Sequence, residues 1–548
     1  MKKLFLSCIS RIVSSHIILI LLILFFVSGN IVWIILDGSP PLWDIAGHSA
    51  RSILVAQLLH DWNFHSILRL DTIYPPFSYI VSGILFLLFG SNADIPQYSL
   101  LLWTMVLYIS TYSIAVQLYQ KKSIGVGACL LLLGYPLLLH FSRIFDLDLP
   151  QTAIVTATFA ALLRSKNFTD YPWTLGTACL IALALLTKWT SIIFLFGPFF
   201  MILVSTLRAK EHRSVSLKNI SHGFLLLLCI AGPWYALHSF EVLKSLIATR
   251  NNGFSVPFEN LISFKNSFYY IGKTITGMSW PLALFACAGF LRLLYKRTRQ
   301  DWFLIVWCVV PYLVMTFLLY SKENRYFLPI FPALAIASAV CIAYLPKIFR
   351  IPGWFAIIIL VCFFWVDISW HTRLLPHTWY LKSGLALTYG YYEPTPQGPG
   401  YGFSYPTKYQ MNIQDIIKTL ADDILKQKRK GTIQIAVVPN SIFLTAQQIQ
   451  YYGKLNGIDN PRKPFRLEYA LSSRIRGPEW RKDILKADYL ITKTGDQGPL
   501  IWGPSLPDIY SEESNKKSDI FSQFELIRTY PLYGIENKPQ EARLYRHK

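Results

Sequence analysis

Long apolar segments separated by short charged turns fill the first two thirds of the chain. A helix needs about 20 such residues to cross a bilayer. Beyond residue 370 the apolar runs stop, and strand-like and helix-like segments of ordinary soluble composition alternate. The pattern predicts a mainly α protein, with a polytopic membrane domain followed by a small α/β soluble domain. Eleven segments are predicted to span the membrane: 12–36, 97–119, 123–140, 149–164, 172–187, 190–207, 219–239, 280–296, 302–320, 326–346 and 352–370.

Two further segments before residue 91 are predicted to be helical without crossing the membrane. Residues 76–90 are apolar but shorter than a span, which favours a juxtamembrane or re-entrant helix packed in protein. After Asp44, apolar residues recur at helical spacing, which predicts an amphipathic helix lying at the interface.

The chain is predicted to divide into three parts. Residues 1–370 form the membrane domain, residues 371–410 a Gly, Pro and Tyr-rich linker or lid, and residues 411–548 a soluble domain. In the last part, strands are predicted at 433–438, 465–471, 488–492, 524–530 and 542–545, with a helix at 441–452. This part contains no phosphate loop, metal cluster or nucleophile motif, so acceptor recognition or scaffolding is its expected role.

Composition agrees with a membrane protein. Of the 548 residues, 53% are hydrophobic and only 15% are charged, which excludes an ordinary cytosolic enzyme. The net charge of +21 has no basic patch interleaved with stacking aromatics, so no nucleic-acid partner is expected. The eight cysteines form no C-x-x-C pair and are interpreted as small core residues.

Charge distribution predicts the orientation. The basic N-terminus is placed inside, as a retained signal anchor. Alternate loops then also lie inside, and each of these inner loops is net basic, as the positive-inside rule expects. The same arrangement puts the C-terminal domain outside. In a bacterium, the membrane is expected to be the plasma or inner membrane. The charged residues expected on the extracytoplasmic side are Asp37, Asp44, Asp61, Asp71, Asp146, Asp148, Lys188, Lys322, Glu323 and Arg325.

The outer loops carry the candidate chemistry. Asp146 and Asp148 lie beside Arg143 in a loop between apolar segments, where two carboxylates can coordinate a divalent cation or position an acceptor. A structural pair between Arg143 and a carboxylate is the alternative. His48 stands four residues after Asp44, on the same helix face, and could share a metal with it, although an interfacial surface histidine is the favoured interpretation. Asp44 stands at the N-terminal end of the predicted amphipathic helix, where it could serve only as the N-cap of that helix.

Cations stand at two other outer turns. Lys188 occupies one, and Lys322 and Arg325 occupy the next. Neither Lys188 nor Arg325 has an obvious acidic partner nearby in sequence, apart from Glu323. Together with Arg143, these cations suit the phosphate of a lipid carrier, because lysine and arginine are the usual phosphate ligands.

Five motifs follow one another along the chain: the Asp44 loop, Pro75–Gly90, Arg143–Asp148, Thr187–Lys188 and Arg325–Pro332. Their order resembles that of the GT-C glycosyltransferases, and most the branch that contains the protein O-mannosyltransferases and the lipid A aminoarabinose transferases. The resemblance covers residues 12–346. Two positions depart from the family pattern: Ile45 stands where a second acid often follows the first, and Tyr74 where a lysine commonly precedes the Pro-Pro.

This resemblance implies an enzyme that moves a sugar from a polyprenyl- or dolichyl-phosphate carrier to a hydroxyl of a glycan, lipid or protein acceptor. It implies Asp44 as the catalytic carboxylate and Asp148 as the matching acid of the second loop. A polyprenyl phosphate leaves without protonation, so one base suffices, and direct displacement inverts the anomeric configuration. A divalent cation is compatible with this chemistry but not required by it.

Two other functions compete. A transporter or flippase of lipid-linked saccharides would place its charges near the midplane of the helices, whereas here they are expected at helix ends. A polymerase or ligase of the O-antigen type would share the lipid-linked donor but lack the Asp44 loop.

The predicted topology is testable with reporter fusions. Fusions after Lys122 and after Trp370 should report an inside and an outside location, respectively, because the inner loops are basic. An outside signal from the first or an inside signal from the second would contradict the orientation.

Overall fold

The protein, described here by a computed structural model, folds as two compact units. Unit 1 comprises Met1–Ile34, Asn63–Ser78 and Gln97–Tyr391, and unit 2 comprises Ile35–Trp62, Tyr79–Pro96 and Tyr392–Lys548. Unit 2 therefore joins two early segments to the C-terminal domain, a grouping absent from the sequence-based division. The structure describes residues 2–70, 73–209, 211–248, 260–370, 378–380, 386–388, 406, 413–441, 444–460, 464–470, 480–495, 509, 513, 520–533 and 539–548.

Helices dominate unit 1, and each of the eleven predicted spans coincides with helical structure. In the described residues, seven helices are long and apolar enough to cross a membrane. Asp71, Thr72 and most of the predicted linker 371–410 lie outside the described residues; within the linker, β1 (Thr378–Tyr380) and β2 (Ala386–Thr388) pair antiparallel. The helices of this unit are α1 (Lys2–Leu36), α3 (Phe64–Leu68), α5 (Ile95–Tyr119), α6 (Lys122–Leu133), α7 (Pro136–Phe141), α8 (Asp148–Arg164), α9 (Tyr171–Thr187), α10 (Ser191–Arg208), α11 (Arg213–Ala248), α12 (Phe264–Met278), α13 (Trp280–Lys296), α14 (Arg299–Phe317), the 3₁₀ helix Asn324–Ile330, α15 (Phe331–Ala343) and α16 (Lys347–Trp370).

Two features of unit 1 differ from the prediction. The continuous span predicted at 123–140 is wrong, because α6 ends at Leu133 and α7 begins at Pro136. At the break, a Cβ on Gly134 would lie 2.7 Å from Val361 Cγ2, so close packing against α16 explains the glycine. Helix α12 was not predicted, because its apolar residues follow one face and its length of 15 residues is below that of a span.

Helix α15 forms the centre of unit 1. Nearly all of its side chains are buried, and it packs against α6, α13, α14 and α16. The contact with α13 is close: a Cβ on Gly289 would lie 2.5 Å from both the carbonyl carbon and the oxygen of Ala337. A small residue is needed there, as is usual where membrane helices approach backbone to backbone.

Helix α11 differs from the others in length. It has 36 residues and contains Pro233. Its last turns expose large apolar side chains, with Phe240, Leu243 and Ile247 at 71%, 56% and 64% of their full accessibility. The predicted span 219–239 covers only the middle of this helix.

Unit 2 is an α/β domain that includes α2 (Trp43–His60) and most of α4 (Phe77–Phe89). Its other elements are α17 (Ile413–Lys426), β3 (Gly431–Val437), α18 (Ala446–Leu455), β4 (Phe465–Ala470), α19 (Trp480–Leu485), β5 (Tyr489–Lys493), β6 (Phe524–Tyr533) and β7 (Pro539–His547). The five strands form one sheet of order β4-β3-β5-β7-β6, with β3 parallel to β4 and β5, and β7 antiparallel to β5 and β6. The predicted strands are all present.

Helix α2 does not have the one-sided burial expected of an interfacial helix. Ten of its 18 residues are buried, and it packs against α18. The indole Nε1 of Trp43 donates to the side-chain oxygen of Asn440 at 3.1 Å. On another side, a Cβ on Gly83 of α4 would lie 3.1 Å from the backbone nitrogen of Ala56. The predicted helix exists, but it is an internal element of unit 2.

The packing of Gly289 gives a prediction about stability. Gly289→Ala should lower the free energy of unfolding by about 1–3 kcal/mol, because the added methyl group meets backbone that side-chain rotation cannot move. Gly176→Ala in α9 is the matched control, since a Cβ there meets nothing within 4 Å. Thermal unfolding in detergent measures both, and equal melting temperatures for the two variants would contradict the argument.

Candidate functional site

Three loops of unit 1 bring five charged side chains together, and we call this group the ion-pair cluster: Asp146, Asp148, Lys188, Glu323 and Arg325. Asp146 lies in the first loop, between α7 and α8, and Asp148 begins α8. Lys188 lies in the second loop, between α9 and α10. Glu323 precedes the 3₁₀ helix, and Arg325 lies in its first turn. Four of the five side chains are almost fully buried, and that of Glu323 is 20% exposed. The sequence predicted these loops to lie on one side, and within unit 1 the structure joins them.

Asp148 and Lys188 form the first pair of the cluster. Lys188 Nζ donates to Asp148 Oδ1 at 2.7 Å. Asp148 is in the first turn of α8, where the helix dipole favours a negative charge. One turn later, Gln151 Nε2 donates to Thr190 Oγ1 at 2.9 Å and so fixes the turn that carries Lys188.

Arg325 connects the other carboxylates. Its Nη1 contacts Asp146 Oδ2, its Nε lies 2.7 Å from Glu323 Oε2, and the same Nε is 3.7 Å from Asp148 Oδ2. The ring of Tyr326 packs near both cations, 5.0 Å from Lys188 Nζ and 5.7 Å from Arg325 Cζ. Its hydroxyl donates to Glu323 Oε1 at 3.1 Å. The cluster has three carboxylates and two cations, a formal charge of −1.

These contacts correct one premise of the sequence analysis. Lys188 and Arg325 do have close acidic partners, in Asp148 and Asp146. The partners were not evident because they lie 40 and 179 residues away along the chain. An anionic ligand is therefore not needed to explain the presence of either cation.

Lys322 lies apart from the cluster contacts and caps a helix. Its Nζ donates to the carbonyl of Thr316 at 2.8 Å and to that of Met315, at the C-terminal end of α14. Burial lowers the pKa of Lys322 to about 8. Carbonyl oxygens at a helix end attract cations, so these contacts account for this lysine structurally.

Arg143, another predicted phosphate ligand, is fully buried and bonds to two other helices. Its Nε donates to Asn30 Oδ1 at 3.0 Å and its Nη2 to Ser369 Oγ at 2.6 Å. The guanidinium also lies 5.3 Å from the ring of Trp33. Through these contacts Arg143 joins α1 to α16.

Asp44 and His48 belong to unit 2. Asp44 is exposed in the first turn of α2, and Leu42 occupies the N-cap position, so the N-cap interpretation of Asp44 is wrong. His48 is buried rather than at a surface, and its Nδ1 lies 2.8 Å from the hydroxyl of Tyr79. Its ring stacks on that of Tyr79.

A metal site finds no support in the described part of the chain, where no three His, Cys, Asp or Glu side chains are grouped to hold an ion. Asp146 and Asp148 are instead paired with cations.

Sequence reasoning missed several neighbours of the candidate residues. Gln151 orients the turn that carries Lys188 but has no charge to mark it, and Tyr326 stands in its motif without a predicted role at the cluster. In unit 2, burial and the charge of Asp37 raise the pKa of Asp94 to about 6. The residues 37 and 94 are far apart in sequence, so nothing local indicates that they interact.

Comparison with known proteins agrees with this fold. Residues 74–235 match the family model of dolichyl-phosphate-mannose-protein mannosyltransferases. The chain also matches the crystal structure of ArnT from Cupriavidus metallidurans bound to undecaprenyl phosphate, with a TM-score of 0.55 and 13% identity over 95% of this chain and 97% of that one. These structures give the chain the fold of the GT-C glycosyltransferases, and its residues 74–235 are similar to a mannosyltransferase family.

Other solved structures share the same GT-C fold. ArnT from Cupriavidus metallidurans in the apo state gives a TM-score of 0.56 at 12% identity, over 98% of both chains. The arabinofuranosyltransferase AftD from Mycobacteria gives 0.50 at 12% identity, over 95% of this chain and 40% of that one. No curated protein sequence matches the chain significantly. At identities of 12–13%, these structures establish the fold of the chain. The match of residues 74–235 to a mannosyltransferase family agrees with that fold.

The Lys188–Asp148 pair can be tested by a double-mutant cycle. Lys188→Met should lower the free energy of unfolding by about 3–5 kcal/mol, because it leaves a buried carboxylate without its nearest cation. Adding Asp148→Asn should restore part of that loss, since the uncompensated charge is then gone. Thermal unfolding of the two single variants and the double variant measures the coupling, and strictly additive losses would contradict a direct pair.

Proposed function

We propose that the protein is a GT-C glycosyltransferase that takes a sugar from a polyprenyl-phosphate carrier and passes it, with inversion, to a hydroxyl acceptor on the extracytoplasmic face. The observation that carries the proposal is the ion-pair cluster, which holds two cations at the ends of apolar helices. The fold neighbour ArnT has been crystallised with undecaprenyl phosphate, and the matched family is described by a dolichyl-phosphate-linked mannose donor. Both point to a lipid-phosphate donor.

The acidic partners of Lys188 and Arg325 are compatible with phosphate binding. An ammonium group has three N–H donors and a guanidinium has five, so each can hold a carboxylate and a phosphate oxygen together. Asp148 and Asp146 then act by orienting the two cations. In this proposal Asp148 is a positioning residue for Lys188, which refines the catalytic role expected from the family resemblance.

Lys188 and Arg325 would stabilise the departing phosphate. As the bond between the anomeric carbon and the phosphate oxygen breaks, negative charge grows on the leaving group. Fixed cations lower the free energy of that charge in a site of low dielectric constant. Because the leaving phosphate needs no proton, the site needs no general acid.

Asp44 is proposed to be the general base. It is exposed in the first turn of α2, where an acceptor hydroxyl can arrive from water. It would remove the hydroxyl proton as the oxygen attacks the anomeric carbon. Since attack is on the face opposite the phosphate, the configuration inverts.

The function can be tested with purified protein in lipid nanodiscs and a panel of polyprenyl-phosphate sugars. The readouts are release of the polyprenyl phosphate and appearance of glycosylated acceptor. Time-dependent release that requires an acceptor supports the transferase. Movement of intact lipid-linked sugar between leaflets, with no release from any donor in the panel, would indicate a transporter.

Lys188→Gln should raise the KM for the donor and lower kcat, because the ammonium contacts the phosphate in the ground state and stabilises it further in the transition state. Lys273→Gln is the control, as it removes a lysine from α12, outside the ion-pair cluster. If Lys188→Gln retains wild-type kcat and KM in properly folded protein, the phosphate assignment is wrong.

Asp44→Asn should reduce turnover by roughly 10²- to 10⁴-fold with the donor KM little changed, because it keeps the shape of the side chain but removes its basicity. Asp61→Asn is the matched control, since Asp61 is exposed at the other end of the same helix. Near wild-type turnover of Asp44→Asn would leave the mechanism without its base.

A further inference from the structure

An apolar groove runs between α10 and α14, outside the ion-pair cluster. Its volume is about 750 Å³. Both helices are among those long and apolar enough to span a membrane, so the groove between them lies at the depth of the membrane. Its walls are mostly apolar side chains of the two helices, among them Phe196, Phe200, Val306 and Val310, and Arg208 and Arg299 stand at one end.

A close helix contact ends the groove on one side. A Cβ on Gly197 would lie 2.8 Å from Val306 Cγ1 and 2.9 Å from Val310 Cγ2, so the two helices touch there. The lining then continues to Arg208 on α10 and to Arg299 on α14, where the groove ends. From residue 197 to residue 208, at 1.5 Å per residue, the groove is about 17 Å long. That is about half of the ~30 Å hydrocarbon core, the depth of one acyl chain in one leaflet.

The polar end of the groove is cationic. Arg208 and Arg299 are exposed there, and none of the described lining residues is acidic. Arg299 is held by its Nη2, which donates to Ser205 Oγ at 2.9 Å and to Asn167 Oδ1 at 3.3 Å. Its guanidinium has further N–H donors for a ligand. Trp302 lies beside these arginines and is 44% exposed, in the manner of aromatic residues at a membrane interface.

The cationic end is remote from the ion-pair cluster. Helix α10 begins at Ser191, three residues after Lys188, and ends at Arg208. Its 18 residues give a length of about 27 Å, close to the full thickness of the hydrocarbon core. The arginines therefore lie at the other membrane surface from Lys188, so the groove does not belong to the site proposed for the donor.

We propose that this groove binds an anionic glycerophospholipid of that opposite leaflet. One acyl chain would lie along the apolar lining as far as Gly197, and the phosphate of the headgroup would contact Arg208 and Arg299. The two arginines at one end complement an anionic headgroup, and the length of the groove matches one leaflet. Both features favour a lipid over a peptide or a soluble phosphate as the occupant. The proposal does not rest on the sugar transfer described above.

Lipid selectivity tests the proposal directly. Wild-type protein exchanged into mixed micelles should retain phosphatidylglycerol in preference to phosphatidylcholine, as measured by native mass spectrometry. In the double variant Arg208→Gln/Arg299→Gln, retention of phosphatidylglycerol should fall about tenfold or more, because two cations beside one anionic headgroup are lost.

A matched double variant controls for general surface charge. Arg164 and Lys166 line a separate, smaller pocket, also bordered by Trp173, at the C-terminal end of α8. Arg164→Gln/Lys166→Gln removes the same charge from that neighbouring pocket and should leave retention unchanged. An equal loss in both double variants would show unspecific attraction and overturn the proposal.

A second measurement does not depend on the arginine variants folding. Phosphatidylglycerol with brominated acyl chains should quench the fluorescence of Trp302, and the difference in quenching between wild type and Trp302→Phe measures that component. Brominated phosphatidylcholine should quench that component less. Equal quenching by the two lipids, or equal retention of the two headgroups, would overturn the proposal.

Discussion

Buried opposite charges at the ends of helices are the constraint on which unit 1 depends. A charge taken out of water costs several kcal/mol, and this cost is offset only by a close partner in good geometry. Asp148 meets that condition with Lys188 at 2.7 Å, and Asp146 meets it with Arg325. Because the partners come from three separate loops, satisfying the charges also fixes the loops relative to one another.

The same pairing defines what the cluster can do. Cations held by carboxylates are already oriented and need little reorganisation when a phosphate arrives. Tyr326 adds an aromatic ring beside both cations and a hydroxyl bonded to Glu323. The cluster is thus a rigid set of N–H donors whose charge is nearly balanced in the absence of ligand.

The helices of unit 1 were largely predictable from sequence because a membrane imposes a simple length and polarity rule. The rule fails where tertiary packing decides, as at Gly134, where the approach of Val361 accompanies the break between α6 and α7. It also fails for α12, whose one-sided pattern resembles a surface helix. In unit 2 the strands followed their patterns, whereas α18 begins at Ala446 because Thr445 and Gln448 form a capping box.

The candidate site was predictable only in part, since residue type and approximate location are local but partners are not. Asp148 and Lys188 could be selected as charged residues between apolar segments. Their pairing depends on how α8 packs against α9, and the contacts of Arg143 depend on α1 and α16. Arg143 shows the limit well, because an arginine that holds helices together and one that holds a phosphate look alike in sequence.

The length of α11 has a consequence for the membrane around it. Thirty-six residues make a helix of about 54 Å, against a hydrocarbon core of about 30 Å. Tilting alone would need an angle of about 56°, beyond the range of roughly 0–40° in which such helices are found. Part of α11 must therefore lie in the headgroup region or in water beyond it. Its exposed Phe240, Leu243 and Ile247 make that part sensitive to bilayer thickness, since a thicker membrane would cover side chains that a thinner one leaves in water.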